Sequence, residues 1–104
     1  MKHWLFMTLN KTFGWDESKN QANLKKHRVD FNYAIFVFLE EHRIETEDNR
    51  KDYGEVRYKV VGRIECGIFT VIYTPRDGCF RIISARGARR DEKEDYLRNL
   101  KTWE

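Results

Sequence analysis

Ile68-Phe69-Thr70-Val71-Ile72-Tyr73 is apolar at nearly every position. Six such residues, β-branched or aromatic for the most part, read as a strand buried on both faces and therefore central to a sheet. Before it the period is two: Val56, Tyr58 and Val60 alternate with Arg57, Lys59 and Val61, giving one apolar and one basic face. Gly62 to Gly67 is expected to turn the chain between these strands. After the central run, Pro75-Arg76-Asp77-Gly78 is a strong turn signal, and Cys79 to Arg86 supplies a third strand. Strict alternation sends Arg81, Ile83 and Ala85 to one face and Phe80, Ile82, Ser84 and Arg86 to the other.

Upstream, Thr12-Phe13-Gly14-Trp15 reads as a short strand. Asp16 is a good helix N-cap with Glu17 in the first turn, and the helix runs to about His27. Arg28 follows where a glycine would suit the exit, so it either takes a left-handed conformation at some cost or the helix ends differently. Asp30 caps a second helix whose face is Phe31, Ala34, Ile35, Phe38 and Leu39; with Phe36 and Val37 it is the most buried helix expected. His42 to Glu45 is a candidate short strand, and Thr46 to Gly54 a mobile acidic loop. A final helix from about Ala88 carries Tyr96, Leu97, Leu100 and Trp103 as its docking stripe. The order is a short N-terminal strand, two helices, an antiparallel meander of three to four strands and a C-terminal helix. That is α+β, with the helices expected on one side of the sheet.

The 104 residues suggest one domain over residues 12–104 behind an N-terminal extension, residues 1–11, in which Met1 and Met7 are both plausible starts. Fifteen aromatic residues let a small core bury much apolar area. No run approaches the length of a membrane span, and Lys2 to Met7 is too short for a signal segment. Cys66 and Cys79 fall at opposite ends of the expected hairpin, too far apart for a disulfide, and reduced thiols suit a cytoplasmic protein.

The net charge of +3 is modest, but its distribution is not even. Glu40 to Glu55 holds seven acids and three bases, whereas Arg76 to Arg90 holds five arginines and one acid. An arginine-bearing strand running into a basic helix start is a natural polyanion surface. There is no metal-ligand spacing, no glycine-rich phosphate loop and no nucleophile beside a base. Arginine, lysine, glutamate and tyrosine on a sheet can still cleave RNA: cations stabilise charge on phosphorus while another group moves the 2′-hydroxyl proton. Arg81 and Arg86 are the candidate transition-state cations and Glu92 the candidate base. Arg57, Lys59, Arg63, Arg89 and Arg90 are candidate RNA contacts. Each has a plainer reading. Arg57 and Lys59 also fit a solvated strand face. Glu92 stands three residues after Arg89, where a glutamate commonly caps its own helix or pairs with an arginine. Asn23 and His27 are expected to bond nearby backbone, and Phe13, Trp15 and Tyr96 to pack in the core.

Phe13-Gly14-Trp15-Asp16, Asn23-Leu24-Lys25-Lys26-His27, Val29-Asp30-Phe31 with Ala34 and Phe38, Gly54-Glu55-Val56-Arg57, Val61-Gly62-Arg63, Val71-Ile72-Tyr73-Thr74, Arg81-Ile82-Ile83-Ser84-Ala85-Arg86, Ala88, Glu92 and Tyr96 together resemble the BrnT family of toxins. The resemblance covers about residues 12–97. It implies a RelE-like fold and a type II toxin–antitoxin ribonuclease that needs no cofactor and cuts RNA to halt translation. It also implies a BrnA-like antitoxin with a ribbon-helix-helix region, and contact with operator DNA only through the complex. In the alternative, the chain is a non-catalytic module that holds its antitoxin and tunes operator binding. Arg28 and Arg89 depart from the family, which usually has glycine at the first and often threonine or serine at the second.

Overall fold

The computed structural model describes residues 2–4 and 12–103. Six strands form one sheet: β1 (Lys2–Trp4), β2 (Phe13–Asp16), β3 (Ile44–Glu47), β4 (Tyr58–Ile64), β5 (Gly67–Arg76) and β6 (Cys79–Gly87), in the order β1-β2-β6-β5-β4-β3. Helix α1 spans Glu17–His27 and α2 Phe31–Ala34, followed by a 3₁₀ segment Ile35–Leu39; α3 spans Arg90–Lys101. The class is α+β, as the sequence suggests. Of the expected N-terminal extension, Lys2–Trp4 pairs antiparallel with β2, and the remainder lies outside the described residues.

Strands β3 to β6 are the expected meander, but the sheet is mixed because β2 runs parallel to β6. Gly62 and Ile64 belong to β4 rather than to a turn, which is only Glu65-Cys66 between the paired Ile64 and Gly67. Gly62 is needed for packing: a Cβ there would sit 2.9 Å from Val37 Cγ2 and 3.2 Å from Arg43 Cβ. The second hairpin closes through Asp77 (φ 53°) and Gly78 (φ 76°), the left-handed pair whose twist matches two-residue hairpins. Pro75 remains in the strand opposite Phe80, beyond the last β4 pair. Cys66 is exposed, Cys79 buried, and neither is in a disulfide.

Asp16 caps α1 through the Ser18 N–H at 2.9 Å. At the other end Arg28 adopts the left-handed conformation (φ 63°), and its N–H reaches the Leu24 carbonyl. The second helix is shorter than the sequence suggests, because the chain tightens after Ala34 into 3₁₀ geometry. Residues three apart then share a face. Ile35 and Phe38 are buried together, whereas Phe36 and Leu39 are exposed together.

Tyr58, Val60, Val71 and Tyr73 face this segment across the sheet's inner side. Phe13, Phe38, Tyr73 and Phe80 form its aromatic centre, with Tyr73 stacked on Phe80 at 4.4 Å. Trp15 and Phe31 pack edge to face beside it. The outer side carries Lys59, Val61 and Arg63 of β4 and Thr70, Ile72 and Thr74 of β5, by the same register. The helices do not all lie on one side. Helix α3 begins over the outer side, where Glu92 bonds Thr70 and Arg86. Of its expected stripe only Tyr96 is buried; Leu97 and Trp103 are exposed.

Strand β2 pairs with β6 only at Phe13↔Phe80 and Gly14↔Arg81. Beyond that point Asn23 of α1 stands in for a strand. Its amide donates to the carbonyls of Ala85 (2.8 Å) and Val29 (2.9 Å) and accepts from the Ala85 N–H (3.1 Å). An amide side chain offers a donor and an acceptor in the same sense as a peptide, so one residue both docks α1 and satisfies the β6 edge. Asn23→Ala leaves buried backbone groups unbonded and is expected to cost about 3 kcal/mol in urea unfolding. A loss below about 1 kcal/mol would show that other contacts hold α1.

Candidate functional site

Glu92 is the third residue of α3, close enough to the helix start for its Oε1 to accept the Arg89 N–H at 2.8 Å. A glutamate alone supplies this half of a cap, since an arginine at the N-cap has no acceptor to return the bond. The same oxygen accepts Thr70 Oγ1 at 2.9 Å and Arg86 Nη1 at 2.7 Å. Oε2 takes Arg86 Nη2 at 3.0 Å and lies 3.2 Å from Lys59 Nζ. Glu92 is 3% exposed. Burial by itself would raise its pKa, but the Arg86 fork, the Arg89 N–H and the Thr70 hydroxyl outweigh it. The carboxyl is held well below the usual carboxylate range. A carboxylate so stabilised is a weak proton acceptor and a strong anchor.

These groups border an open cleft of about 250 Å³ between β3, β4, β6 and α3, where Lys59, Arg86, Arg89 and Glu92 meet Arg50 and the acids Glu47, Asp48 and Asp91. The acidic segment that forms its far wall is pinned rather than loose. Strand β3 occupies Ile44–Glu47, slightly later than expected, and the Asp48 N–H donates to the Arg57 carbonyl at 2.7 Å. Asp48 is buried; its carboxylate takes Arg50 at 2.8 and 2.9 Å, and that fork holds the Asp48 carboxyl below its ordinary value.

A bulge decides which arginines share this side. Ile72 pairs with Ser84 but Tyr73 with Ile82, so Ile83 is an extra residue in β6. Strict alternation would put Arg81 and Arg86 on opposite faces. With the bulge, Arg81 lies opposite Thr74 and Arg86 opposite Thr70, both on the outer side, while Ile82 and Ala85 both enter the core. The four residue steps from Thr70 to Thr74 in β5 correspond to roughly 14 Å along the sheet.

Lys59, Arg86, Arg89 and Glu92 thus converge on the cleft, and Arg81 shares their face further along β6. Arg81 is half-buried and has no ion pair with a described residue. Arg57 lies outside the cleft, bound to Glu55 at 3.1 Å and stacked 3.9 Å from the Tyr53 ring centre. Arg63 is exposed on the outer side, 5.8 Å from the Tyr96 ring centre. Arg90 is exposed and 3.6 Å from Glu94, one turn on. Tyr96 is buried as expected, and its hydroxyl donates to Glu40.

Two contributors escaped the sequence reading. Thr70 is wholly buried and donates to Glu92, yet in sequence it is one hydroxyl in an apolar run. The Asp48–Arg50 fork sits in a stretch of uniform polarity. For Thr70 the available signal was parity, because it stands two residues from Ile72 on the side that Lys59 occupies in the next strand. Among the described residues, no three His, Cys, Asp or Glu side chains gather as metal ligands, and no helix is long and apolar enough to cross a membrane.

Residues 15–92 match the family described as ribonuclease toxin, BrnT, of the type II toxin–antitoxin system. No curated protein matches the chain.

A glutamate whose folded pKa is depressed stabilises the protein above its unfolded value, 4.5, and that stability is lost as pH falls below it. Urea midpoints should therefore drop as pH is lowered from about 5 to 3. Glu92→Gln should lower stability at pH 7 by about 3 kcal/mol, as loss of one member of a buried charge cluster does. It should also flatten the acid limb, leaving a residual slope from Asp48. Parallel limbs in the two proteins would contradict this account of Glu92.

Proposed function

Because the chain belongs to the BrnT family of type II toxin–antitoxin ribonuclease toxins, we propose that it cleaves RNA on the outer side of its sheet. The observation that carries this reading is the pairing of Lys59 and Arg86 through one buried carboxylate beside an open, arginine-bordered cleft. Ribose-phosphate laid along β6 would meet Arg81 and Arg86, four strand steps apart, at a spacing that suits phosphates two nucleotides apart in an extended chain. Arg89 lies at the cleft edge to hold a further one.

In this mechanism the 2′-oxygen bonds to phosphorus, its proton passes to solvent, and the 5′-oxygen leaves. Arg86, 14% exposed at its side chain, stabilises the charge that builds on the phosphoryl oxygens. The Lys59 ammonium donates the proton that the leaving 5′-oxygen requires. Glu92 acts as a positioning residue: it fixes both cations and leaves neither lone-pair side vacant for a substrate proton. Arg81 binds a phosphate further along the strand. The chain's own cations supply all the charge, so the reaction is expected to proceed in chelator.

In the cell this activity would halt translation until a BrnA-like antitoxin covers the cleft. A partner bearing a ribbon-helix-helix region would bring the complex to operator DNA. The alternative of a non-catalytic antitoxin-binding module predicts intact RNA and healthy growth when the chain is expressed alone.

Purified protein incubated with RNA in chelator should yield fragments. Arg81→Ala should reduce kcat/KM by about a hundredfold and leave the thermal midpoint unchanged, since no described partner is orphaned. Arg86→Lys, which keeps a charge beside Glu92 but loses the fork, should depress kcat and also lower the thermal midpoint, so its cleavage is read well below that midpoint. Undiminished cleavage in both variants would overturn the assignment.

A further inference from the structure

The bulge at Ile83 and the early end of β2 leave a second opening on β6. It is a groove of about 300 Å³ between α1 and the bulged strand, bordered by Lys19, Asn23, Lys26, His27, Ile83 and Ser84. Among the described residues, no carboxylate lines it. Lys19, Asn23 and Lys26 fall on one helical face, at i, i+4 and i+7, and both lysines are exposed without an ion pair to a described residue. Five arginines elsewhere, Arg50, Arg57, Arg86, Arg90 and Arg98, are by contrast bound to acids. Ser84 lies on the outer side between Arg81 and Arg86, so the groove opens from the face that carries the arginines.

We propose that this groove is a second RNA-binding track, in which Lys19 and Lys26 hold phosphates of single-stranded RNA that leaves the Arg86 face sideways across β6 toward α1. The inference rests on the reading of the outer side as an RNA-cleaving surface, and it assigns the flanking nucleotides a place that the cleft does not provide. Two unpaired ammonium groups one and a half to two turns apart, roughly 10 Å along the helix axis, suit a flexible polyanion rather than a single small anion. The floor between them is uncharged: Ala22 and Ile83 give apolar surface, and Ser84 gives a hydroxyl. His27 closes one end. Burial, Lys26 and Arg86 lower its pKa, which favours the neutral ring, a form suited to stacking against a base.

The test uses 2′-O-methyl RNA, which binds but lacks the attacking hydroxyl, so that binding is read apart from cleavage. Affinities of the intact chain and of a Lys19→Ala, Lys26→Ala double variant are measured by fluorescence anisotropy across a salt series. The probes are an oligonucleotide of about twelve nucleotides and one of about three. For the longer RNA the double variant should bind several-fold more weakly, and its log–log salt slope should be shallower by about 1.4, two phosphates at roughly 0.7 each. The short RNA should bind both proteins alike. Equal affinity and slope for the longer RNA would overturn the second track even if unmodified RNA is cut. So would a variant that loses only a poly-glutamate peptide, which would mark the groove as a protein-docking surface. Absence of cleavage of unmodified RNA by the intact chain bears instead on the proposed function, and a slope change in the binding series would stand without it.

Discussion

One buried carboxylate ties the molecule together. Glu92 receives bonds from a strand hydroxyl on β5, a guanidinium on β6, an ammonium on β4 and the first free N–H of α3. Desolvating a glutamate is unfavourable by several kcal/mol unless its charge is met, so these four groups cannot be removed independently. The same requirement fixes the outer side chemically. Two cations are drawn inward to meet this one acid, while Glu47, Asp48 and Asp91 also line the cleft beside Arg50 and Arg89. A site that concentrates cations would ordinarily repel itself; here the shared anion offsets that repulsion from below.

The aromatic core does a different job. Phe13, Phe38, Tyr73 and Phe80 hold β2, β5 and β6 against the 3₁₀ segment on the inner side. The sheet is thus covered by apolar packing on one side and by a polar cluster under α3 on the other. Both layers contribute to folding, the inner one through apolar burial and the outer one through the buried ion cluster on Glu92. The two meet at β6, where Asn23 secures the strand edge and Arg86 faces the cleft one residue from Ala85.

Much of this was visible in the residues. Alternation over Val56–Val61 and the apolar run after it located two strands, Asp77-Gly78 located a hairpin, and Asp16 and Asp30 located two helix starts. Each of these signals acts within a few residues, so it survives without knowledge of the fold. The parallel pairing of β2 with β6 was hidden because nothing local selects a partner sixty-odd residues away. The shortened second helix was hidden because Phe31 to Leu39 satisfies either helical period, and the choice falls to packing against Gly62. Lys59, Arg86, Arg89 and Glu92 stand out as charged residues in the sequence, but their grouping is not readable there. Arg57 and Arg90 look like Arg86 in sequence and differ from it only in which acid lies nearby. A non-glycine Arg28 leaves the exit of α1 open between two conformations, and the left-handed one is adopted.

Ile83 illustrates how much can depend on a residue that contributes no chemistry. It is the uncounted step in β6, and by being there it rotates everything after it by half a turn relative to everything before. In Arg81-Ile82-Ile83-Ser84-Ala85-Arg86 the two arginines share a face only because the strand is one residue longer than its partner. The number of residues in this segment is therefore under the same constraint as their identities. A lineage could exchange Ile83 for another side chain with modest effect, but losing the position itself would turn one arginine toward the aromatic core.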